Sequence, residues 1–526
     1  MAVVNLPQPQ DAFQVVCLVL ALVLLLWDTI EVGRNDAANL VNAVLGARVL
    51  SRRTALLVAG AAVVLGAVLS SDVMDTARKG IFAPPALGAL RTALAVYISV
   101  YIVDTVLLYG YSAFGMPVST TACLVFELLG AALAVNVAAV RWASSGIVMA
   151  GIVCSIVLSG VAAFLIQRAV RGAIRDRTTH LATLLLHGGW VGGGMAAGLC
   201  YFMLLKGMKN VAWIKQLNAS LHEFNNAEYG GVGGLAAVFL LWGFFAIVIH
   251  TLLIIYRKRA ARMLFPILCV LGMCAMAFAF GQNDLANCAS PGLAVVTLLR
   301  EQSLEIGTKV PIAGWMLLGC GLLMALGMTT QNAQRVTKAA ISTGSMGDHV
   351  ALWAPRWCVI LATRLLRSRG RERALAPRAG ITTAGKTIHF DTLRASVIMS
   401  VSASVIATAS SLGLPVSTTY VAFAAVVATG MADRIFQRGD AELKLARAIW
   451  VVSSWGISAF IAAAAAFLVA TVVLHLGIVG MGLCLVANLC VRRLLKRRAD
   501  RQAQRVEEEA YERIHPEAFA LEEEDA

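Results

Sequence analysis

Apolar runs long enough to cross about 30 Å of hydrocarbon recur from about residue 12 to residue 491, and short charged segments separate them. Helices that are apolar nearly all round need lipid or protein on every side, so the pattern predicts an all-α integral membrane protein with about 12–13 transmembrane helices. Basic segments at 48–53, 168–177, 256–262, 334–390 and 492–505 fall between the runs. Placed together on the cytoplasmic side, they let the intervening spans alternate without conflict, with the N-terminus outside and the C-terminus inside. In this reading 12–47 and 263–299 are each one broken crossing, and the two enter the membrane from opposite sides.

Composition sharpens the class. The 526 residues are 59% hydrophobic and 14% charged, with mean hydropathy +0.76. A net charge of +14 would suit a nucleic-acid binder, but the cations cluster beside the spans, as at Arg168, Arg171, Arg175 and Arg177 and at Arg257-Lys258-Arg259. That is the positive-inside distribution of a multi-pass protein. The first 33 residues hold no Lys or Arg, so the first span lacks the charged leader of a cleaved signal peptide. Eleven cysteines are scattered through apolar runs without a Cys-x-x-Cys pair or a histidine at ligand spacing. They read as small hydrophobes, and neither a disulfide framework nor a metal site is expected.

Two short patterns occur twice in the same order. Gly33-Arg34-Asn35-Asp36-Ala37-Ala38-Asn39 precedes Gly115-Met116-Pro117-Val118-Ser119-Thr120-Thr121, and Gly281-Gln282-Asn283-Asp284-Leu285-Ala286-Asn287 precedes Gly413-Leu414-Pro415-Val416-Ser417-Thr418-Thr419. Asp and Pro are 81 positions apart in the first copy (36 to 117) and 131 in the second (284 to 415). The Arg-rich stretch 334–390 accounts for the difference; it holds ten Lys or Arg against Asp348 and Glu372 and reads as a cytoplasmic insertion beside anionic lipid. Repetition of this kind predicts two inverted-topology repeats with broken helices or re-entrant hairpins. The expected division is 1–180 for the first repeat, 181–262 for linker spans, 263–475 for the second repeat, and 476–526 for a last span and charged tail.

Polar clusters inside apolar spans need a reason, because each buried polar group costs about 2 to 7 kcal/mol unless it is hydrogen-bonded. Asn35, Asp36 and Asn39, and likewise Asn283, Asp284 and Asn287, share a helix face at i, i+3 and i, i+4 spacing. With a helix break at the preceding glycine, their oxygens and the freed carbonyls are hard ligands for Na⁺, or a proton relay through Asp. A polar clamp between helices is the alternative for either copy alone. In the other motif, proline at a first helical turn leaves unpaired N–H groups and three hydroxyls at the positive end of the helix, which makes Ser119, Thr120, Thr121, Ser417, Thr418 and Thr419 an anion cradle. An N-capping serine explains one such segment equally well.

At these residues the chain resembles the Pit-type inorganic phosphate transporter family, whose signature is a duplicated Gly-Ala-Asn-Asp-Val-Ala-Asn with a downstream Pro-Val-Ser-Thr-Thr. The likeness extends through Gly46, Leu65-Gly66-Ala67 and Lys79-Gly80-Ile81 and covers roughly 20–165 and 265–470. It implies a secondary transporter in the cell membrane (the inner membrane in a bacterium) that moves inorganic phosphate by symport with Na⁺ or H⁺ through alternating access. Phosphate would lie between the two Ser-Thr-Thr segments, with the coupling cation beside the Asn-Asp pairs, no other cofactor, and a homodimer compatible. The sequence departs from the family at Arg34 and Gln282, where alanine is usual, at Val63, where glutamate is usual, and at Ala122 and Tyr420, where histidine or serine is common. Arg34 is expected to pair with Glu31 or Asp28, or else to add a cation beside the substrate. Asp104, inside the apolar run 94–108, and Glu127 are further intramembrane acids suited to relaying protons or holding a cation. Sulfate is the rival anion. A channel or phosphate-sensing receptor is a rival class, and an enzyme ranks last because no metal triad, nucleophile elbow or Walker motif accompanies the polar clusters.

Overall fold

Asp11 starts the first helix by accepting the Gln14 amide at 2.7 Å, and the chain then runs without interruption through α1 (Ala12–Gly46). The computed structural model describes residues 7–70, 84–208, 211–228, 233–304, 314–347, 349–368, 388–437 and 439–514. Lys79-Gly80-Ile81, residues 369–387 of the Arg-rich stretch and the acidic end of the tail lie outside them. After α1 come α2 (Arg52–Val68), α3 (Leu90–Ala113), α4 (Thr120–Leu133), α5 (Trp142–Ile174), α6 (Leu181–Cys200), α7 (Ala212–Glu228) and α8 (Gly233–Glu301). The second part holds α9 (Gly314–Gly327), α10 (Gln331–Thr343), α11 (Arg356–Ser368), α12 (Thr392–Ser411), α13 (Thr418–Ala432) and α14 (Ala441–Ile514).

Seven of these helices are long and apolar enough to cross a membrane. The two longest double back, at Arg257 (φ 43°) and Gly477 (φ 56°). Gly192 therefore packs against both Ile249 and Leu264, and a Cβ at Gly480 would lie 2.6 Å from the carbonyl oxygen of Val472. The α9–α10 pair bends by 65° at a short break. α3 with α4, and α12 with α13, form two helical hairpins whose tips turn at Gly115 (φ 64°) and Gly413 (φ 68°), a backbone region that favours glycine.

The motif helices do not break where the sequence predicts. No non-helical residue interrupts α1, and the one interruption of α8 is at Arg257, far from Gly281. Gly33 and Gly281 serve packing instead. A Cβ on Gly33 would sit 2.0 Å from the Met324 carbonyl oxygen, and one on Gly281 would sit 2.2 Å from that of Val63. Gly327 and Gly66 return the contact, against the carbonyls of Ile30 and Phe278. Each motif helix thus lies backbone to backbone on a helix of the other half, the close approach that small residues permit between helices in lipid.

α1 and the second limb of α8 run antiparallel: Leu25 meets Gly292 near one end, while Asp36 and Asp284 share a partner in the middle. The Arg-rich stretch does not begin as a solvated loop. Residues from Gln331 to Thr343 are helical, because Ala333, Val336, Thr337, Ala340 and Thr343 form a buried face against α1.

Candidate functional site

The centre of the molecule is a layer of amides, hydroxyls and carboxylates, all nearly inaccessible. Asn35, Asp36, Asn39, Asn283, Asp284 and Asn287 are at most 3% exposed, and Ser119, Thr120, Thr121, Ser417, Thr418 and Thr419 are at 1%. Within each motif helix the i, i+3 pair closes: Asn39 donates to Asp36 at 2.9 Å, and Asn287 donates to Asp284 at 2.7 Å.

The asparagine preceding each aspartate pins the hairpin tip of its own half. Asn35 accepts the Val118 amide and Asn283 accepts the Val416 amide, both at 3.3 Å. Asn283 also donates to the Val416 carbonyl at 2.7 Å, and Asn35 to the Ser112 hydroxyl at 3.1 Å. These bonds occupy the backbone between each proline and the helix cap, where the hairpin has no helical partner of its own; Pro117 and Pro415 thus lie two residues before the caps Ser119 and Ser417 and not in the first helical turn.

The two tips then cross. Thr121 donates to the Val416 carbonyl at 3.0 Å, and Thr419 donates to the Val118 carbonyl at 3.1 Å. Thr419 also reaches Asp36 at 2.5 Å, while Thr120 lies between the carboxylates, 3.3 Å from Asp36 and 3.1 Å from Asp284. Asn39 and Asn287 donate in turn to Thr419 and Thr121, each at 2.9 Å. Side chains that are distant in sequence therefore form one network, and the Ser-Thr-Thr starts of α4 and α13 face each other across it.

Ser119 and Ser417 cap their own helices. Each accepts an amide of its own helix, Ala122 at 3.0 Å and Tyr420 at 3.1 Å, and so caps the N-terminus. The first-turn amides of Thr120, Thr121, Thr418 and Thr419 are the donors an α-helix leaves without an intrahelical acceptor. Among the described residues Asn287 Oδ1 is buried with no hydrogen-bond partner, and Thr418 Oγ1 and Asp284 Oδ2 are buried near each other with no other partner. Oxygens of this kind beside two carboxylates suit a small hard cation or a proton.

The remaining candidates sit elsewhere. Arg34 pairs locally: Nη1 is 2.6 Å from Glu31, and that carboxylate also binds Arg492 at 2.7 Å. Gln282 faces away from the central layer and donates to the Gly207 carbonyl at 2.7 Å. Asp104 and Glu127 are buried in α3 and α4, Asp104 facing Asp28, and among the described residues no other side chain or amide donates to either carboxyl. Two cations escaped the sequence reading. Arg394 is fully buried and donates to the carbonyls of Gly344 and Val426 and to Thr429. Arg447 donates to the carbonyls of Gly115, at a hairpin tip, and Trp353. Their signal was an arginine near the start of an apolar helix, alone at Arg394 and three residues after the also buried Lys444 at Arg447, which topology rules assign to the membrane edge.

Hairpins meeting tip to tip inside a bundle of apolar helices, around a polar layer, define a multi-pass membrane protein. The model of the phosphate transporter family matches residues 32–342 and 374–466, and the chain belongs to that family. A protein of Thermococcus kodakarensis named "Putative phosphate permease" is 26% identical over 76% of this chain and 85% of its own length. One of the same designation from Haemophilus influenzae is 26% identical over 81% and 89%. A solved structure titled "The sodium-dependent phosphate transporter" has the same fold, with a TM-score of 0.64 and 22% identity over 88% of this chain and all of the other.

Proposed function

We propose that this protein carries inorganic phosphate across the cell membrane by symport with Na⁺ or H⁺, through alternating access of two inverted repeats spanning about 1–180 and 263–475. One observation carries the reading: the crossed bonds from Thr121 to Val416 and from Thr419 to Val118 set two helix N-termini against a layer holding Asp36 and Asp284. Phosphate is bound by the first-turn amides and hydroxyls of both Ser-Thr-Thr segments. The coupling cation is held by Asp36 with Asn35 and Asn39, and by Asp284 with Asn283 and Asn287.

Electrostatics supplies the reason for coupling. Two buried carboxylates repel an incoming oxyanion, and in a low-dielectric interior that repulsion amounts to several kcal/mol at contact distances. A cation or proton on each aspartate removes the repulsion, so anion and cation stabilise one another in the site. Membership of the phosphate transporter family, and a neighbour of this fold whose title names sodium and phosphate, support the same choice.

The test is uptake of labelled phosphate into proteoliposomes under imposed Na⁺ and pH gradients in turn, with sulfate as competitor. Asp36→Asn, Asp284→Asn, Ser119→Ala and Ser417→Ala are expected to abolish uptake while the protein still reaches the membrane. Normal uptake by all four variants would discard the site, and preferential uptake of sulfate would replace the anion.

A further inference from the structure

Two helical turns from the central layer, three more acids are buried together. Asp28 stands seven residues before Asn35 on α1, Asp104 eight before Ser112 on α3, and Glu127 seven after Thr120 on α4. Seven or eight residues are about two turns, or roughly 11 Å, so each acid lies on the face of its helix that reaches the central layer. All three are at most 1% exposed, and among the described residues no group outside the trio donates a hydrogen bond to any of their six carboxyl oxygens. The carboxyls of Asp28 and Asp104 face each other, and both act electrostatically on Glu127. Cys123, one turn after Thr120, lies within electrostatic reach of these three acids and of Asp36.

The other half of the molecule does without them. Asp36 and Asp284 are 248 positions apart, which sets Asp28 against Met276; Pro117 and Pro415 are 298 apart, which sets Asp104 against Ser402 and Glu127 against Ala425. Met276, Ser402 and Ala425 are all fully buried too. The architecture therefore accepts neutral side chains at these places, and the acids are an addition to one repeat.

The groups around the trio leave the charge uncompensated. From α1 there are Thr29 and Glu31, the latter already held by Arg34 and Arg492. Tyr101 comes from α3, Cys123 from α4, Cys288 from α8 and Cys320 from α9. On the side of α14, Asn488 donates to the Ile102 carbonyl and to Thr105, and Arg492 to the Thr105 carbonyl and to Glu31. Three ionised carboxylates without a donor would cost many kcal/mol in this setting. Among the described residues no acid, His or Cys cluster converges as a metal site. A proton needs only one oxygen, or two that face each other.

We propose that Asp28, Asp104 and Glu127 form a proton-binding site stacked on the central layer and found in the first repeat alone, through which protons enter the transport cycle. The idea rests on the phosphate-symport reading above. Asp28 and Asp104 share a proton, and Glu127 carries a second on the helix whose first turn bears Thr120.

The first measurement needs no transport. Infrared spectra of the purified full-length protein, in H₂O and D₂O, report protonated carboxyl groups through their isotope-sensitive C=O stretch. Bands are expected that persist in Asp36→Asn/Asp284→Asn and vanish in the variant Asp28→Met/Asp104→Ser/Glu127→Ala, which copies the second repeat. Asp28→Asn and Glu127→Gln, close in shape, repeat the test should that variant fail to fold. The second measurement is phosphate uptake against pH in proteoliposomes, where the same substitutions are expected to move the midpoint by about one pH unit or more, a tenfold change in proton occupancy. Absence of the bands from the unmutated protein, or an unmoved pH profile, would overturn the proposal. Bands assigned to the trio in a protein that moves no phosphate would keep the proton site and discard the phosphate reading.

Discussion

The Thr419 hydroxyl lies 2.5 Å from Oδ1 of Asp36, across 383 positions of chain. The same oxygen is 3.1 Å from the Val118 carbonyl and accepts from Asn39 at 2.9 Å. A hydroxyl has one proton, so it donates to one of these acceptors at a time. With Asp36 ionised the carboxylate is the stronger acceptor; with Asp36 neutralised by a proton or cation, donation moves to Val118 and ties the two hairpin tips.

That choice makes Thr419 a link between cation binding and hairpin contact. Thr419→Val keeps the shape and removes the proton, with loss of a hydrogen bond to a charged group costing about 1.5 to 3 kcal/mol. Because that bond stabilises the cation-free carboxylate, the apparent affinity for the coupling cation is expected to rise, by about tenfold to a hundredfold, while Thr419→Ser stays near the original. Uptake measured against Na⁺ and proton concentration checks this, and equal affinities for the valine and serine variants would contradict it.

Gly33→Ala and Gly281→Ala are expected to harm folding before chemistry. Their Cβ positions fall 2.0 and 2.2 Å from backbone oxygens of Met324 and Val63, atoms that cannot rotate away. Overpacking of this kind costs about 1 to 3 kcal/mol or more. Thermal unfolding in detergent should show a lowered midpoint for both, whereas Gly243→Ala, with nothing near its Cβ, should match the original.

These glycines show what the sequence could and could not say. The duplicated Asn-Asp-x-x-Asn and Pro-Val-Ser-Thr-Thr were legible because polar groups in lipid are costly and repetition makes chance an unconvincing account. That Asn39 would meet Thr419 was not legible, since pairing across 380 positions depends on how two halves are packed. Glycine before Asn-Asp was read as a break because glycine permits one; only the approach of Met324 and Val63 shows that packing, not backbone freedom, is its use. Ser119 and Ser417 read from the sequence as ligands or caps, and their bonds to Ala122 and Tyr420 show the capping role.

A charged clamp outside the polar layer predicts a pH effect on stability. Arg171 of α5 binds Asp433, in the loop after α13, at 2.7 Å, and also binds Asp391, which caps α12. Burial pushes the Asp433 carboxyl up, but the hydrogen bond and charge of Arg171 outweigh it and hold the group below the usual carboxylate range. A depressed value in the folded state gives stability that is present above the unfolded value of about 3.9 and is lost as pH falls through and below it. Asp433→Asn is therefore expected to lower the unfolding midpoint at pH 6 to 8, and the difference should shrink toward zero as the pH falls below about 4. A difference that persists at low pH would rule out the ion pair as its cause.

Arg447 gives the last prediction. Its side chain is 3% exposed, and its two terminal nitrogens donate to the Gly115 carbonyl at 2.7 Å and the Trp353 carbonyl at 3.0 Å. Gly115 turns the tip of the first hairpin, so a residue of the second half fixes the position from which Val118, Ser119 and Thr120 project. A guanidinium reaches two carbonyls at once because its donors are spread over a rigid plane; an ammonium on a lysine stem is a single point. Arg447→Met leaves the buried Gly115 carbonyl without its donor, costing about 1 to 3 kcal/mol, and removes the part-buried bond to Trp353, and Arg447→Lys restores at most one of the two. Both variants are expected to lose phosphate uptake by about tenfold or more, with lysine the milder. Uptake at the original rate in Arg447→Met would mean that the tip holds its place through Asn35 alone.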